Sequence, residues 1–221
     1  VCARVVQNEE DDDTPLQCLG DLASSTPKML RNYLSDVSQL CLQTVANSEV
    51  DDSLRHSALE VMVSLCEAAP AMMRKAGSGY IPGVIQQCLA LMVDIEEDEE
   101  WAVMDTLDED DDNNANIGET SLDRIACGLG GKSVFPVCYQ IIPQMLASAE
   151  SWQHRHAALM ALSTIGEGCK TAMTPHLDGI VDSVVASLND PHPRVRYAAC
   201  NCLGQMASDF APDFEKKYHS K

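Results

Sequence analysis

Aromatic side chains are scarce in this sequence, whose 221 residues include only 3 Phe, 2 Trp and 5 Tyr. Leu, Ala, Met, Val and Cys supply most of the apolar side chains, and these suit packed helices better than the aromatic and β-branched surfaces of sheets. With 45% hydrophobic and 22% charged residues, the composition is that of a folded protein. We therefore expect an all-α fold with little or no strand.

The sequence also lacks a run of about 18 apolar residues that could span a membrane, a signal peptide, and any Cys-x-x-Cys pair. Its ten cysteines are spread evenly, so we expect buried thiols in a reducing compartment, with neither a disulfide framework nor a zinc site. These absences predict a cytosolic or nuclear protein without membrane contact. Helical patterns run through both ends of the chain, so we expect a piece of a longer protein.

Positive charge is missing from one long stretch, since no Lys or Arg occurs from Ala76 to Asp123. The formal net charge is −19, and it is concentrated in two segments: five acids in Glu9 to Asp13 and twelve between Asp94 and Asp112. The other 17 acids face 15 Lys and Arg, so the rest of the chain is nearly neutral. This distribution predicts a basic protein partner and no direct nucleic acid binding.

A helical pattern recurs along the chain. It is clearest in Arg55-His56-Ser57-Ala58-Leu59, Arg155-His156-Ala157-Ala158-Leu159 and Arg196-Tyr197-Ala198-Ala199-Cys200. Weaker copies around Leu16 and Leu122 complete a series with steps of 43, 63, 37 and 41 residues. Steps of about 40 residues are typical of two-helix HEAT or armadillo units, and the long step contains the acidic segment as an insertion of roughly twenty residues.

Partner helices with the same apolar period lie between these segments, around Leu34, Val84 and Ile180. A further one is expected at residues 134–147, where Pro136 and Pro143 should kink or delay it. Since one hairpin cannot bury its apolar face alone, neighbouring hairpins must stack. We predict a single right-handed α-solenoid of about five HEAT repeats over residues 1–221, with an acidic insertion at residues 96–116 in the third repeat.

The repeated arginines and one turn have a predicted structural role. Arg155 and Arg196 occupy equivalent positions, where we expect a bond between repeats to an acid or a helix end. At Asp190-Pro191-His192-Pro193, the Asp and the prolines are expected to close one helix and open the next, because Pro is tolerated in a first helical turn.

Several long motifs resemble a known family. They are Arg155 to Gly168, Asp190 to Cys200, Gly204 to Ala207, Leu122 to Lys132, and Met92 to Trp101. Together they are similar to the importin-β (karyopherin-β) superfamily over essentially the whole chain. The resemblance implies the middle of a nuclear transport receptor, which carries basic cargo with lysine-rich import signals, releases it on binding Ran-GTP and contacts phenylalanine-glycine nucleoporins. It also implies a cytoplasmic and nuclear location, including the nuclear pore.

The acidic insertion is the first candidate binding site, because a polyanion attracts basic peptide or the basic face of Ran. Its candidate residues are Glu96, Glu97, Asp98, Glu99, Glu100, Trp101, Asp108, Glu109, Asp110, Asp111 and Asp112. A merely solvated loop is the alternative. Trp101 could anchor the insertion or clamp a lysine stem by a cation–π contact.

The expected concave face is the second candidate site. There Trp152 could receive a cargo side chain or pack within its own turn, and Asn201 could bond cargo backbone or simply face solvent.

The sequence contains no complete catalytic, phosphate-binding or metal-binding motif. We therefore expect neither an enzyme nor a cofactor or metal site. Gly128 to Ser133 suggests a phosphate-binding loop, but its required first glycine falls on Ala126, so these glycines should end a helix. Asp108, Asp110, Asp112 and Glu119 match calcium-loop positions but lack the turn glycine. No nucleophile, base and orienting group recur together. A structural HEAT scaffold without a transport role remains the alternative to an import receptor.

Overall fold

The computed structural model describes residues 13–76, 79–97, 101 and 113–220. In this part of the chain the secondary structure is helical, with no strand, as the scarcity of aromatic residues predicts. The chain divides into two compact units, residues 1–88 and residues 89–221. Among the residues described, no helix combines the length and apolarity needed to cross a membrane.

In the first unit, the helices are α1 (Thr14–Ser25), α2 (Leu34–Ala46), α3 (Asp52–Ala68), α4 (Pro70–Lys75) and α5 (Tyr80–Val93), within which the unit boundary falls. A 3₁₀ segment, Pro27–Tyr33, connects α1 to α2. Helix α3 packs against both α1 and α2. Leu16, Leu59 and Met62 are fully buried where these helices meet, and each such side chain contributes roughly 1.5–3 kcal/mol to stability by its burial.

In the second unit, the helices are α6 (Asn114–Leu129), α7 (Gly131–Leu146), α8 (Trp152–Thr164), α9 (Gly166–Met173), α10 (Leu177–Ser187), α11 (Pro193–Asp209) and α12 (Asp213–Tyr218). A short 3₁₀ turn, Thr174–His176, separates α9 from α10. Helix α8 packs against α6, α7 and α11, and α9 packs against α6 and α7. Leu122, Leu159 and Ile165 are fully buried in this core.

The repeat series found in the sequence coincides with real helices. Its five members, Leu16, Leu59, Leu122, Leu159 and Cys200, lie in α1, α3, α6, α8 and α11. The long step between the second and third members contains α5 and the acidic segment. Helix α6 begins at Asn114, so the last three residues of the insertion predicted at 96–116 are helical.

The expectation that prolines delay the helix at residues 134–147 is wrong. Helix α7 begins at Gly131 and continues to Leu146 with Pro136 and Pro143 inside it. Each proline leaves the carbonyl four residues earlier without its helical donor. Those carbonyls belong to Lys132 and Tyr139, which are both exposed, so water can satisfy them.

Local side chains explain where several helices begin and end. Asp51, Asn113 and Ser151 precede α3, α6 and α8, and each side chain accepts a hydrogen bond from a backbone N–H of the first turn. Gly130 ends α6 with a φ of 77°, which glycine adopts without strain, and its N–H donates to the Ala126 carbonyl. The glycine-rich motif is therefore a helix junction, as predicted.

The cysteine prediction is partly wrong. None of the nine cysteines described forms a disulfide, but Cys18, Cys127 and Cys200 are exposed while the other six are buried. Burial raises the pKa of the Cys66 and Cys202 thiols to about 12, so these remain protonated and unreactive at neutral pH. The exposed thiols lie on helix faces that the even spacing of cysteines along the chain could not distinguish.

Arg155 bonds two successive repeats, as expected from its recurrence. Its Nε and one terminal nitrogen donate to the two carboxylate oxygens of Asp190 at 2.7 and 2.9 Å, and the other terminal nitrogen donates to the Ser148 carbonyl at 2.8 Å. Burial alone would raise the pKa of Asp190, but the hydrogen bonds from Arg155 and the His192 N–H outweigh it and lower the pKa. Arg196 instead donates to carbonyls of the turn before its own helix.

A glycine pair tests how closely α6 and α9 approach. A Cβ on Gly168 would lie 2.4 Å from the carbonyl carbon of Ala126, which is backbone and cannot move aside, whereas a Cβ on Gly179 would meet nothing within 4 Å. We expect Gly168→Ala to destabilise the fold by roughly 1–3 kcal/mol. The matched change Gly179→Ala in α10 should stabilise it by about 0.5–1 kcal/mol. Urea unfolding followed by circular dichroism measures both, and equal effects would contradict the close packing.

A second pair tests the arginine bond between repeats. Arg155→Lys keeps the charge but loses the two-pronged bond to Asp190, so we expect a loss of roughly 1–3 kcal/mol of stability. Arg196→Lys is the control, because Arg196 is exposed and a lysine can still reach one turn carbonyl. Thermal unfolding of the two variants should show the larger decrease for Arg155→Lys, and the reverse order would refute this role.

Candidate functional site

The start of α11 and the first turn of α8 bring the side chains of Trp152, His192 and Arg194 together. Trp152 is the first residue of α8. The hydrogen bonds between Arg155 and Asp190 hold the turn that precedes α11 beside the start of α8. His192 stands directly before α11, and Arg194 follows in its first turn. The structure therefore places His192 and Arg194 next to Trp152, although they are about 40 residues away in sequence.

Trp152 and His192 form a stacked pair that holds one carboxylate of the insertion. Their ring centroids are 4.0 Å apart and the planes are 3° from parallel. The indole Nε1 of Trp152 donates to Oε2 of Glu97, and Nε2 of His192 lies 3.2 Å from Oε1 of the same carboxylate. The Glu97 side chain remains 55% exposed, so its charge faces solvent while both oxygens are bonded.

Trp101 lies on the same cluster. Its ring meets Tyr197 of α11 edge to face, with centroids 5.5 Å apart. The guanidinium carbon of Arg194 lies 5.1 Å from the Trp101 ring centroid and 5.4 Å from that of Trp152. One arginine is thus held between two indoles, an arrangement that attracts cations through the negative ring faces. This geometry is the anchoring arrangement considered for Trp101, with a cation–π contact inside the chain.

His156 completes the cluster beneath Trp152. The two rings meet edge to face at 6.2 Å. Burial lowers the pKa of His156 to about 4, and the positive charges of Arg194 and His192 add to the effect. His156 is therefore neutral at pH 7, which leaves Arg194 as the permanent cation. Within the described residues, Nδ1 of His156, Nδ1 of His192 and Nε of Arg194 are shielded from solvent without a hydrogen-bond partner.

A polar strip runs along α11 from the same cluster. Asn201, Gln205 and Asp209 are four residues apart, so they lie on one face of the helix. The Asn201 amide contacts the sulfur of Met160 in α8 at 3.6 Å, and the Gln205 amide donates to Asp209 at 3.0 Å. On the neighbouring helices, the Thr164 hydroxyl donates to Glu119 at 3.1 Å. The strip thus carries two amides and a carboxylate on α11, and the neighbouring helices add the hydroxyl of Thr164 and the carboxylate of Glu119.

Asp209 stands out in this strip. One of its oxygens packs against Gly166, where a larger residue would displace it, and that oxygen has no hydrogen-bond partner among the residues described. Burial raises the pKa of Asp209, the Gln205 bond opposes this, and the charge of Glu167 adds to the rise. An incompletely bonded carboxylate of this kind favours a cationic donor over a neutral one.

The structure brings together only part of the predicted site. Glu97, Trp101 and Trp152 meet in the cluster, Glu96 is exposed beside Glu97, and Asn201 is exposed on the strip. Asp98, Glu99 and Glu100, and all five acids from Asp108 to Asp112, lie outside the described residues. The sequence reasoning missed His192, Arg194, Tyr197 and Asp209. The sequence did contain a signal for His192 and Arg194, because these residues flank Pro193, where a helix start was predicted.

The predicted calcium-like series and the two nearby histidines were considered as metal ligands. In the described ranges, no three His, Cys, Asp or Glu side chains are placed to share a metal ion. Of the calcium-like series, Glu119 lies inside helix α6, bonded to Thr164, and its three aspartates fall outside the described residues. His154 bonds the Ser151 hydroxyl, away from buried His156.

Three family models match the chain. The model described as an importin repeat matches residues 47–136, a HEAT-like repeat model matches residues 152–206, and a model described as IPO5-like TPR repeats matches residues 1–40. The matched ranges contain all five members of the repeat series. They support HEAT hairpins on both sides of the acidic insertion.

Known relatives and structures agree with these models. Importin subunit beta-3 of Saccharomyces cerevisiae is 32% identical over 93% of this chain and 19% of its own length. The crystal structure of Kap121p bound to Nup53p is 31% identical with a TM-score of 0.91, and that of Kap121p bound to RanGTP is 30% identical with a TM-score of 0.90; each covers 99% of this chain and 22% of the Kap121p chain. This chain spans about a fifth of the length of these relatives.

These matches confirm the fold class predicted from the repeats, an all-α solenoid of HEAT hairpins. The family models and the yeast relative agree on one group of proteins, which is also the group that the long motifs resemble. The chain therefore belongs to the importin-β superfamily, as a segment of its HEAT repeats.

Proposed function

We propose that this chain is the cargo-binding middle segment of a nuclear transport receptor, which binds basic cargo with lysine-rich import signals and contributes to Ran-GTP-regulated import. One observation carries the proposal: two tryptophans already hold the guanidinium of Arg194, next to the exposed carboxylate of Glu97. A surface that holds an internal cation between indoles has the chemistry to hold a cargo lysine or arginine.

Electrostatics extends this site along the insertion. Glu96 and Glu97 begin a segment of twelve acids and no basic residue between Asp94 and Asp112. Glu97 contacts the first residue of α8 and the residue before α11, and Trp101 contacts Tyr197 of α11, which places the described start of this segment beside these helices and leaves the proposed role of attracting cargo to its twelve acids. Their summed charge raises the local concentration of basic peptide, with an effect that salt screens.

The polar strip on α11 provides bonds for the cargo backbone and side chains. Asn201 is exposed, and its amide contacts the weakly accepting sulfur of Met160, so we propose that it bonds cargo backbone. Asp209 adds a carboxylate at the end of the same face, with Oδ1 accepting from Gln205 and Oδ2 buried against Gly166. Lysine-rich segments fit this combination, because the ammonium groups bond carboxylates while amides hold the extended chain.

Ran-GTP and phenylalanine-glycine nucleoporins are the other proposed partners. Support comes from the similarity to Kap121p, whose crystal structures include complexes with RanGTP and with Nup53p. We propose that the protein moves between cytoplasm and nucleus through the pore, binds neither nucleic acid nor membrane directly, uses no cofactor and is not an enzyme. We also propose that residues 1–221 form one HEAT array, with the acidic insertion in its third repeat.

A structural HEAT scaffold without a transport role is the competing function. Both functions use stacked hairpins, so the fold does not separate them. The acidic insertion with its aromatic anchor favours the transport receptor, since a passive scaffold has no need for two tryptophans beside a polyanion. Failure of the protein to bind both Ran-GTP and basic import signals would leave the scaffold as the better description.

Removal of insertion charge tests the electrostatic part of the proposal. Replacing Asp108, Asp110, Asp111 and Asp112 with Ser should weaken binding of a fluorescent lysine-rich peptide about tenfold at low salt and much less at high salt. The matched control replaces Glu9, Glu10, Asp11 and Asp12 with Ser, which removes the same charge from the other acidic segment. Fluorescence anisotropy at two salt concentrations measures both, and equal losses would mean that net charge alone attracts the peptide.

Intrinsic fluorescence tests the aromatic part, because Trp101 and Trp152 are the only tryptophans in the chain. A lysine-rich peptide that competes with Arg194 for the indoles should change the tryptophan emission in a saturable way. Trp152→Phe and Trp101→Phe then report which indole responds, and an acidic peptide of equal length is the control. Binding of the basic peptide with no change in emission would remove the tryptophans from the cargo site.

A further inference from the structure

A groove of about 500 Å³ opens on the first unit, away from the residues discussed so far. Its floor is apolar, and its rim carries positive charge. The lining residues are Pro27, Lys28, Arg31, Leu34, Ala68, Ala69, Ala71, Met72, Lys75 and Ala76. A volume in this range is typical of sites that accept a small ligand or a few side chains of a peptide.

Two helical segments form the sides of the groove. On one side, Lys28, Arg31 and Leu34 are three residues apart, which places them on one face of the 3₁₀ segment Pro27–Tyr33 and its continuation. On the other side, Ala68, Ala71, Met72 and Lys75 follow the spacing of one α-helical face at the end of α3 and along α4. The small alanine side chains leave the space that a larger residue would fill.

The charge of the rim is opposite to that of the protein as a whole. Lys28, Arg31 and Lys75 are exposed, and no described residue forms an ion pair or hydrogen bond with any of their side chains. The net charge of the chain is −19, with only 15 Lys and Arg in the sequence. Three unpaired cations around one apolar floor therefore form a local site for negative charge.

We propose that this groove binds an acidic amphipathic peptide segment of another protein. A bulky apolar side chain of the partner occupies the floor over Ala71 and Met72, and flanking Asp or Glu side chains bond Lys28, Arg31 and Lys75. Charge complementarity carries this choice of occupant. The apolar floor disfavours a nucleic acid, whose phosphates would meet methyl groups, and the net negative charge of the chain repels an extended polyanion.

Peptide binding with two matched charge reversals tests the groove. The probe is a fluorescent peptide with a Leu-Phe-Leu core flanked by glutamates, added to the protein that carries residues 1–221. Lys28→Glu together with Lys75→Glu should weaken binding at least about tenfold at low salt. Lys132→Glu together with Lys216→Glu is the control, because both lysines are exposed, carry the same charge and lie outside the groove. Binding should change less than about twofold in the control.

A steric variant tests the apolar floor separately from the charge. Ala71 is exposed at the groove, so Ala71→Trp fills the space without burying a misfit side chain or changing the net charge. We expect it to abolish peptide binding while circular dichroism and thermal unfolding stay unchanged. A peptide with its Leu-Phe-Leu core replaced by serines should also fail to bind.

Several results would overturn the proposal. Equal weakening by both charge-reversal pairs would show a response to net charge alone, and unimpaired binding to Ala71→Trp would exclude the floor. Self-association in analytical ultracentrifugation that Lys28→Glu with Lys75→Glu removes would show that a second copy is the occupant. Tight binding of the wild-type protein to the serine-core peptide would contradict the amphipathic partner.

Discussion

The two-pronged bond between Arg155 and Asp190 is the interaction on which the candidate site depends. Asp190 accepts from Arg155 of the preceding repeat and from the N–H of His192, while its own carbonyl accepts from Arg196. These bonds fix the turn before α11 against the first turns of α8. His192 is thereby held flat against Trp152, and only then can both residues reach the same carboxylate of Glu97. A bond between repeats would contribute to stability in any HEAT protein. Here it also positions the two residues that hold Glu97, near the start of the acidic insertion.

The charge states within the cluster follow from burial. His156 lies beneath Trp152 with its pKa near 4, so between pH 6.5 and 4 the unfolded chain binds a proton that the folded protein does not. Its neutral ring contributes stability above pH 6.5 that is lost as the pH falls toward 4. Arg194 places a positive charge against the indoles, while the Glu97 carboxylate faces solvent. At the proposed cargo site, a basic segment therefore meets an exposed carboxylate first, and it reaches the ring faces only by competing with Arg194.

Much of this architecture was predictable because it follows from periodicity. Apolar spacing located all five repeated helices, and the single step of 63 located the insertion, since helix positions depend on local pattern and on faces that must be buried. The site was less predictable because its contacts join residues about 40 to 95 positions apart. Trp152 and Trp101 attracted attention as rare residues, whereas His192 and Arg194 gain their role only from the turn that Asp190 fixes. Asp209 was missed because its incomplete bonding depends on close packing against Gly166.

Repetition also explains how one short chain acquires two surfaces of opposite character. Each hairpin buries one face, so residues at its turns and ends are free to vary without loss of the core. In the first unit, small alanines at the end of α3 and in α4 leave an apolar groove, and Lys28, Arg31 and Lys75 surround it with positive charge. In the second unit, Trp101, Trp152 and the exposed carboxylate of Glu97 form the surface proposed to bind cations. The two surfaces share no residue and present groups of opposite charge. Added salt therefore weakens binding at both surfaces, whereas reversal of a partner's charge strengthens binding at one surface and weakens it at the other.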